Sequence, residues 1–326
     1  MYYVYYGVSQ GSVLGPILFN LYTADITLVA ARHGLQLLQY ADDRQLYVSA
    51  PVDEASATVS RLSHCVTDVA SWLSASRLQL NPAKTVHSVL MWLGSRQQVE
   101  KIGIREVPIH SSVITTVDSA RDLGVTLDSH LTMSEPVSSM CRSAYCFLRQ
   151  LRPVVRSLTE DAAKTVVHAF ISMHLDYCNS LLCRICDTLL RRLQSVQNAA
   201  ARVITRTPRR DHITPILHHL HWLPVQQRVA FKLAVLVYKA LNNRAPEYLS
   251  QDCRLVGDTG RRELRSSHNY TCASVTTSAR FGDRAFAAAG PRLWNSLSAD
   301  VRRTDVTVET FSRKLKTYLF GRDAST

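Results

Sequence analysis

The chain has 326 residues, 46% of them hydrophobic and 20% charged, with 12 Gly, 11 Pro and 8 Cys. At roughly 150 residues per domain it holds about two domains with enough chain to bury a core, which excludes small disulfide scaffolds, collagen-like chains and disordered polyelectrolytes. Its formal charge of +12 is unevenly placed: residues 1–133 hold 9 Lys and Arg against 11 Asp and Glu, while residues 134–326 hold 29 against 15.

Met1 to Ala24 carries no charge. Gln10, Gly11, Ser12, Gly15, Pro16 and Asn20 interrupt its apolar residues, so the pattern fits neither a membrane span nor a signal peptide. Pro16 and Gly34 bound an apolar run that reads as one helix with Leu14, Ile17, Leu18 and Leu21 along a face. In LQLLQYADDRQLYVSA, apolar and aromatic residues flank Asp42 and Asp43, as in two short strands joined by a tight turn. Ala55, Val59, Leu62, Val66, Val69 and Leu73 then step by three and four, an amphipathic helix with Asp53 as its expected N-cap. Strand-like pieces follow at 88–93, 113–117 and 123–127.

Beyond Ser134 the period is helical. Val137, Met140, Cys141, Ala144, Phe147, Leu148 and Leu151 mark one helix face, Thr159 caps the next helix, and others run over 187–205, 225–242 and 307–320. Residues 250–280 are polar and weakly patterned and read as a linker or mobile segment. The fold class expected is α+β: helices with short antiparallel strands first, an all-α part afterwards.

Three features bear on chemistry. Asp42 and Asp43 at a hairpin tip can ligate a hard divalent cation, although aspartate is also a good turn former. The stretch GVSQGSVLGP offers a glycine-bearing loop where a backbone or a base can approach closely. Of the 38 basic residues 31 are arginine, whose planar fork grips phosphate bidentately. The basic excess after Ser134 therefore points to a nucleic-acid partner, with a solvated helical surface as the alternative. His174, Cys178, Cys183 and Cys186, and separately His218, His219 and His221, read as packing or surface residues. The scattered cysteines suit a reducing compartment, nuclear or cytoplasmic.

The blocks GVSQGSVLGPILFNLYTADI, QYADDRQLYVS, LQLNPAKT and ARDLGVTLD occur in the order and approximate spacing of reverse transcriptases. With HAFISMHLDYCNSLL, RLQSVQNAAARVITRTPRRDHITPILHHLHWLPV and GDRAFAAAGPRLWNSL after them, the chain resembles the enzyme of LINE-type, non-LTR, jockey-like retrotransposons. The resemblance implies an incomplete polymerase palm over 1–133, a helical thumb over 134–205, and a basic, mainly helical module over 206–326.

It also implies an RNA-directed DNA polymerase, with RNA template, DNA primer and dNTP as partners and two Mg²⁺ ions as cofactors. Asp42, the main ligand, and Asp43 match the metal-binding box with Tyr40 and Ala41. Gln10 and Gly11 match the loop supporting template and nucleotide, and Lys84 matches a lysine that protonates pyrophosphate. Leu123 and Gly124 match the primer-grip hairpin. Arg206, Arg209 and Arg210 are the arginines expected on nucleic acid.

Some positions depart from the pattern. No aspartate-bearing strand precedes Gly7, Ser9 replaces a proline, and Arg44 stands where a small polar residue is usual. The resulting expectation is a 5′-truncated polymerase inactive by itself. A noncatalytic nucleic-acid-binding protein and an unselected remnant are the alternatives.

Overall fold

A helix stops where a residue takes the left-handed conformation and the next amide turns back to an earlier carbonyl. Gly34 (φ 68°) does this here, and Leu35 N donates to Ala30 O at 3.1 Å. In the computed structural model, which describes residues 11–78, 89–109, 112–259, 270–277 and 282–323, the run before Gly34 is two helices. These are α1 (Gly15–Tyr22) and α2 (Ile26–Arg32), not the single helix expected. The break falls at Thr23, which is fully buried; its hydroxyl donates to Phe19 O and accepts from Gln39 Nε2 at 2.6 Å. The apolar face predicted for α1 lies open to solvent, with Leu14 61% and Leu21 69% exposed.

Strands β1 (Gln36–Tyr40) and β2 (Asp43–Tyr47) pair antiparallel. Helix α3 (Ala55–Ala75) follows a 3-10 turn at Val52–Glu54, so Asp53 lies inside that turn and is not the expected N-cap. Ile26, Val29, Leu35, Cys65, Val69 and Leu73 form one small core beneath the hairpin's Leu37 and Leu46. A second core joins Val107, Ile109 and Ile114, from strands β3 (Glu106–Ile109) and β4 (Ser112–Thr115), to Val59 and Val66. The sequence pattern missed β3 and also β5 (Ser119–Asp122), which pairs with β6 (Val125–Asp128). β3 carries Pro108 and β5 reads Ser-Ala-Arg-Asp, so neither shows the apolar, β-branched run that marks β4 and β6.

The chain divides into two compact units, 1–120 with 128–130 and 121–127 with 131–326. In the second, α4 (Ser134–Val155) buries Val137, Cys141, Ala144 and Leu148, the stripe read from the sequence. Thr159 caps α5 (Glu160–Val167) as expected, its hydroxyl accepting from Ala162 N. Helix α6 (Asp187–Thr205) buries Leu189, Leu193, Val196, Ala200 and Ile204 against α4 and ends at Arg206, which is left-handed.

After α7 (Ile213–His219), helix α8 (Val225–Leu241) serves two cores: Val225 and Val229 enter the first, Ala234, Val237 and Tyr238 the second. The cores thus meet within α8, and α7 packs with the residues before 205, whereas the sequence reading drew a boundary at 205/206. The second core is completed by α9 (Phe286–Asn295) and α10 (Val308–Asp323) through Trp294, Phe311 and Leu315.

Within the stretch read as a linker, Cys253 and Cys272 are buried in this second core, and Leu255 pairs with Cys272 in an isolated bridge. Polar composition concealed these packed ends because only a few apolar side chains anchor them. Burial pushes the Cys253 and Cys272 thiols up to about 12. Cys186 is exposed, and a hydrogen bond with the Thr188 hydroxyl lowers its pKa. Since the thiolate is the nucleophile, alkylation at neutral pH should modify Cys186 well before Cys253 or Cys272. Peptide mapping of a short iodoacetamide reaction checks this, and early labelling of Cys272 would contradict the buried bridge.

Candidate functional site

Strands β1 and β2 are in register from Gln36 opposite Tyr47 to Tyr40 opposite Asp43, which leaves Ala41 and Asp42 as a two-residue loop. Ala41 takes φ 54°, a conformation costly for a residue with a Cβ, and the tightness of the turn follows from it. The expected hairpin is therefore present, with Asp42 in its loop and Asp43 opening β2, both exposed. Strand alternation puts Tyr40 and Asp43 on one face, where Tyr40 is 67% exposed, and Gln39 and Arg44 on the other.

That second face docks on α1. The Arg44 guanidinium lies 5.8 Å from the Phe19 ring centroid, and Gln39 reaches Thr23. The block with the two aspartates and the helix after Gly11 thus form one local assembly. Burial lowers the Arg44 pKa, opposed by the Asp42 carboxylate, and the Nε and Nη2 atoms of Arg44 are buried with no hydrogen-bond partner. Arg44 points away from the face carrying Asp43, while its charge still acts on Asp42. Gly11 is exposed with φ 87°, a backbone that favours glycine. Gln10 and Lys84 lie outside the described residues.

Among the described residues no three His, Cys, Asp or Glu side chains gather into a metal-binding group. His219 instead pairs with Glu160 at 2.7 Å, His218 packs on the Phe320 ring at 5.0 Å, and His174 lies 6.2 Å from Phe147.

Leu123 (φ 42°) and Gly124 (φ 85°) are the two-residue turn between β5 and β6, both left-handed as a type I′ turn requires. The turn belongs to the second unit, where the Tyr177 hydroxyl donates to Leu123 O; a Cβ on Gly124 would sit 3.5 Å from that hydroxyl. Tyr177 escaped the sequence reading, since nothing local shows which carbonyl a tyrosine will reach 54 residues away.

The arginines expected on nucleic acid separate. Arg206 donates to the carbonyls of Val155, Arg156 and Leu158 at 3.2, 3.1 and 3.0 Å, closing the C-terminal end of α4. A cation at that end meets the negative pole of the helix, so Arg206 closes α4 while remaining exposed on the wall of the concavity that Arg209 also lines. Arg209 is exposed and lines this concavity of about 920 Å³ between α4 and α6. Arg210 is 87% exposed and lies 3.9 Å from the neighbouring Asp211. The other arginines of that concavity, Arg152 and Arg156 among them, lie on the polar side of α4, where the apolar period gives no signal.

Among the described residues no helix is long and apolar enough to cross a membrane. Residues 1–127 match the family described as "Reverse transcriptase (RNA-dependent DNA polymerase)". The chain is 29% identical over 234 residues to a Drosophila melanogaster protein described as "Probable RNA-directed DNA polymerase from transposon BS", covering 69% of this chain and 25% of that one. It is 27% identical over 205 residues to "Probable RNA-directed DNA polymerase from transposon X-element" of the same organism, covering 61% and 22%. The chain thus spans about a quarter of the length of the curated relatives it matches. No solved structure matches it. Both alignments are longer than the segment matching the family, so residues 1–127 are similar to the reverse transcriptase family and lie within a longer stretch similar to transposon RNA-directed DNA polymerases.

Proposed function

We propose that the chain is the part of a jockey-like, non-LTR retrotransposon reverse transcriptase that runs from the catalytic hairpin of the palm into a helical thumb that begins near residue 134 and then a basic, mainly helical module. The observation that carries this reading is the β1–β2 hairpin: it holds Asp42 and Asp43 in the open and rests on the helix after the Gly11 loop. Two exposed carboxylates offer the hard oxygen donors that suit Mg²⁺, which is commonly held by one or two carboxylates together with substrate phosphates. Bound there, Mg²⁺ supplies Lewis-acid activation of a primer hydroxyl and charge compensation for departing pyrophosphate.

The chain's own residues supply the positioning. Asp42 is the principal ligand and Asp43 its neighbour, while Tyr40 borders them on the Asp43 face. Gln10 and Gly11 support the template and the incoming dNTP, and Lys84 donates a proton to pyrophosphate. Leu123 and Gly124 form the turn that steadies the DNA primer on its RNA template. The exposed arginines favour a second reading, a noncatalytic nucleic-acid-binding protein.

Mn²⁺, a paramagnetic substitute for Mg²⁺, tests the ligand assignment on the isotope-labelled chain. Amide signals of Ala41–Arg44 should broaden at lower Mn²⁺ than those of other acidic loops, and Asp42→Asn should abolish the difference. Uniform broadening over all exposed carboxylates would remove the hairpin as a metal site and leave the noncatalytic reading.

A further inference from the structure

Helices α4 and α6 run parallel, because Ser138 meets Arg192, Tyr145 meets Ser195, and the end of α4 meets Arg206. Their polar sides leave a furrow of two adjoining concavities, about 920 and 720 Å³ in volume. From α4 the walls receive Arg142, Arg149, Arg152 and Arg156; from α6 they receive Arg191, Arg192 and Arg202. Among the described residues no Asp or Glu lines either concavity. Glu135 pairs with Arg142 at 3.5 Å at one end. At the other, Arg202 donates to the Asp211 backbone carbonyl. Arg149, Arg152, Arg156 and Arg209 are exposed, and their guanidinium groups make no hydrogen bond or ion pair among the described residues.

Like charges gathered without carboxylates repel one another, so an arginine-lined furrow is complete only when an anion enters it. The arginines of α4 span 14 residues, about 21 Å at 1.5 Å per residue, which calls for a chain of phosphates and not a single ion. Neighbouring helices pack with axes roughly 8–10 Å apart. A trough along the seam of two helices so spaced suits one phosphodiester strand lying along it better than a duplex. Tyr145 borders both concavities, 44% exposed, with its hydroxyl tied to Ser195 at 2.9 Å. A ring fixed in this way offers a face on which a base can stack.

We propose that the α4–α6 furrow binds a single strand of RNA or DNA, with its arginines on successive phosphates and a base against Tyr145. The proposal rests on the nucleic-acid partner of the preceding reading and not on its metal chemistry. The strand's sequence matters little, because phosphates carry the contact.

The test is fluorescence anisotropy of the full chain with labelled 12-nucleotide oligo(U), oligo(dT) and a mixed-sequence duplex of the same length, from 50 to 200 mM KCl. About five phosphate contacts at 0.7 released counterions each give a log–log slope near −3.5, roughly a hundredfold loss over that range. Arg149→Ala, Arg152→Ala and Arg156→Ala together should reduce the slope by about two. A charge-matched control of the exposed Arg254, Arg313 and Lys314, each changed to Ala, should leave the slope in place. Tyr145→Ala should weaken binding about tenfold, Tyr145→Phe should retain it, and the duplex should bind at least tenfold more weakly than either single strand.

Binding is measured in the absence of divalent cations, so failure of the furrow and failure of the metal site are told apart. Equal losses in the control triple would replace the furrow with diffuse charge, and equal duplex affinity would refute the single strand. Polyglutamate competing as well as oligo(U) would make the partner an acidic protein. Melting curves matching the parent exclude unfolding, since each changed side chain is exposed.

Discussion

In a polymerase that contains these 326 residues in frame with a complete palm, Asp42→Ala is expected to cut Mg²⁺-dependent primer extension by roughly a thousandfold or more. Removing one carboxylate from an exposed pair weakens hold on the cation. It also leaves charge developing on the attacking and departing oxygens without compensation, and that electrostatic effect is commonly the largest in such reactions. Asp43→Ala should give a smaller loss, because Asp43 begins a paired strand while Asp42 occupies the loop. The 326-residue chain alone is expected to extend no primer, since the hairpin brings two carboxylates and among the described residues no third His, Cys, Asp or Glu joins them. Single-turnover assays with a labelled primer on poly(A) measure both. Extension by the 326-residue chain that disappears in Asp42→Ala would overturn the second expectation; unchanged extension by the longer enzyme carrying Asp42→Ala would overturn the first.

Trp294→Ala should cost the second unit about 3–5 kcal/mol of stability, the usual range for deleting a buried aromatic. Trp294 has no exposed surface, and its ring centroid lies 5.7 Å from Phe311 and 6.5 Å from Tyr238, which stack on each other at 4.2 Å. Its indole N–H donates to Tyr270 O at 2.7 Å, and the adjacent Asn295 bonds both the N–H and the C=O of Cys272 at 2.9 Å. Truncation therefore opens a cavity and frees a segment held to α9 by few other contacts. Trp294→Phe should lose less, since it keeps much of the ring packing and gives up the hydrogen bond. Urea unfolding followed by circular dichroism checks both, with the lower midpoint expected for Ala; a shift under about 1 kcal/mol for Trp294→Ala would mean that this core does not hold the helices together.

Long helices were legible because their signal is local and repeated. Val137, Cys141, Ala144 and Leu148 recur on one face whatever they pack against, and Asp187–Thr205 was read to the residue. The Asp42 hairpin was legible for a related reason: a two-residue turn sets its own register. The break at Thr23 was not, since the bond that buries it comes from Gln39, 16 residues on.

The sequence by itself thus determined the mixed first part, the helical second part, the exposed aspartate pair and the arginine excess. Tertiary structure alone decided what each arginine does. Arg206 closes a helix by reaching carbonyls some 50 residues earlier, while Arg149, Arg152 and Arg156 stand free along a furrow that exists only once α4 and α6 lie side by side. Charge is a property of composition, but whether a guanidinium meets a carbonyl, a carboxylate or an open groove depends on contacts between residues far apart in the chain.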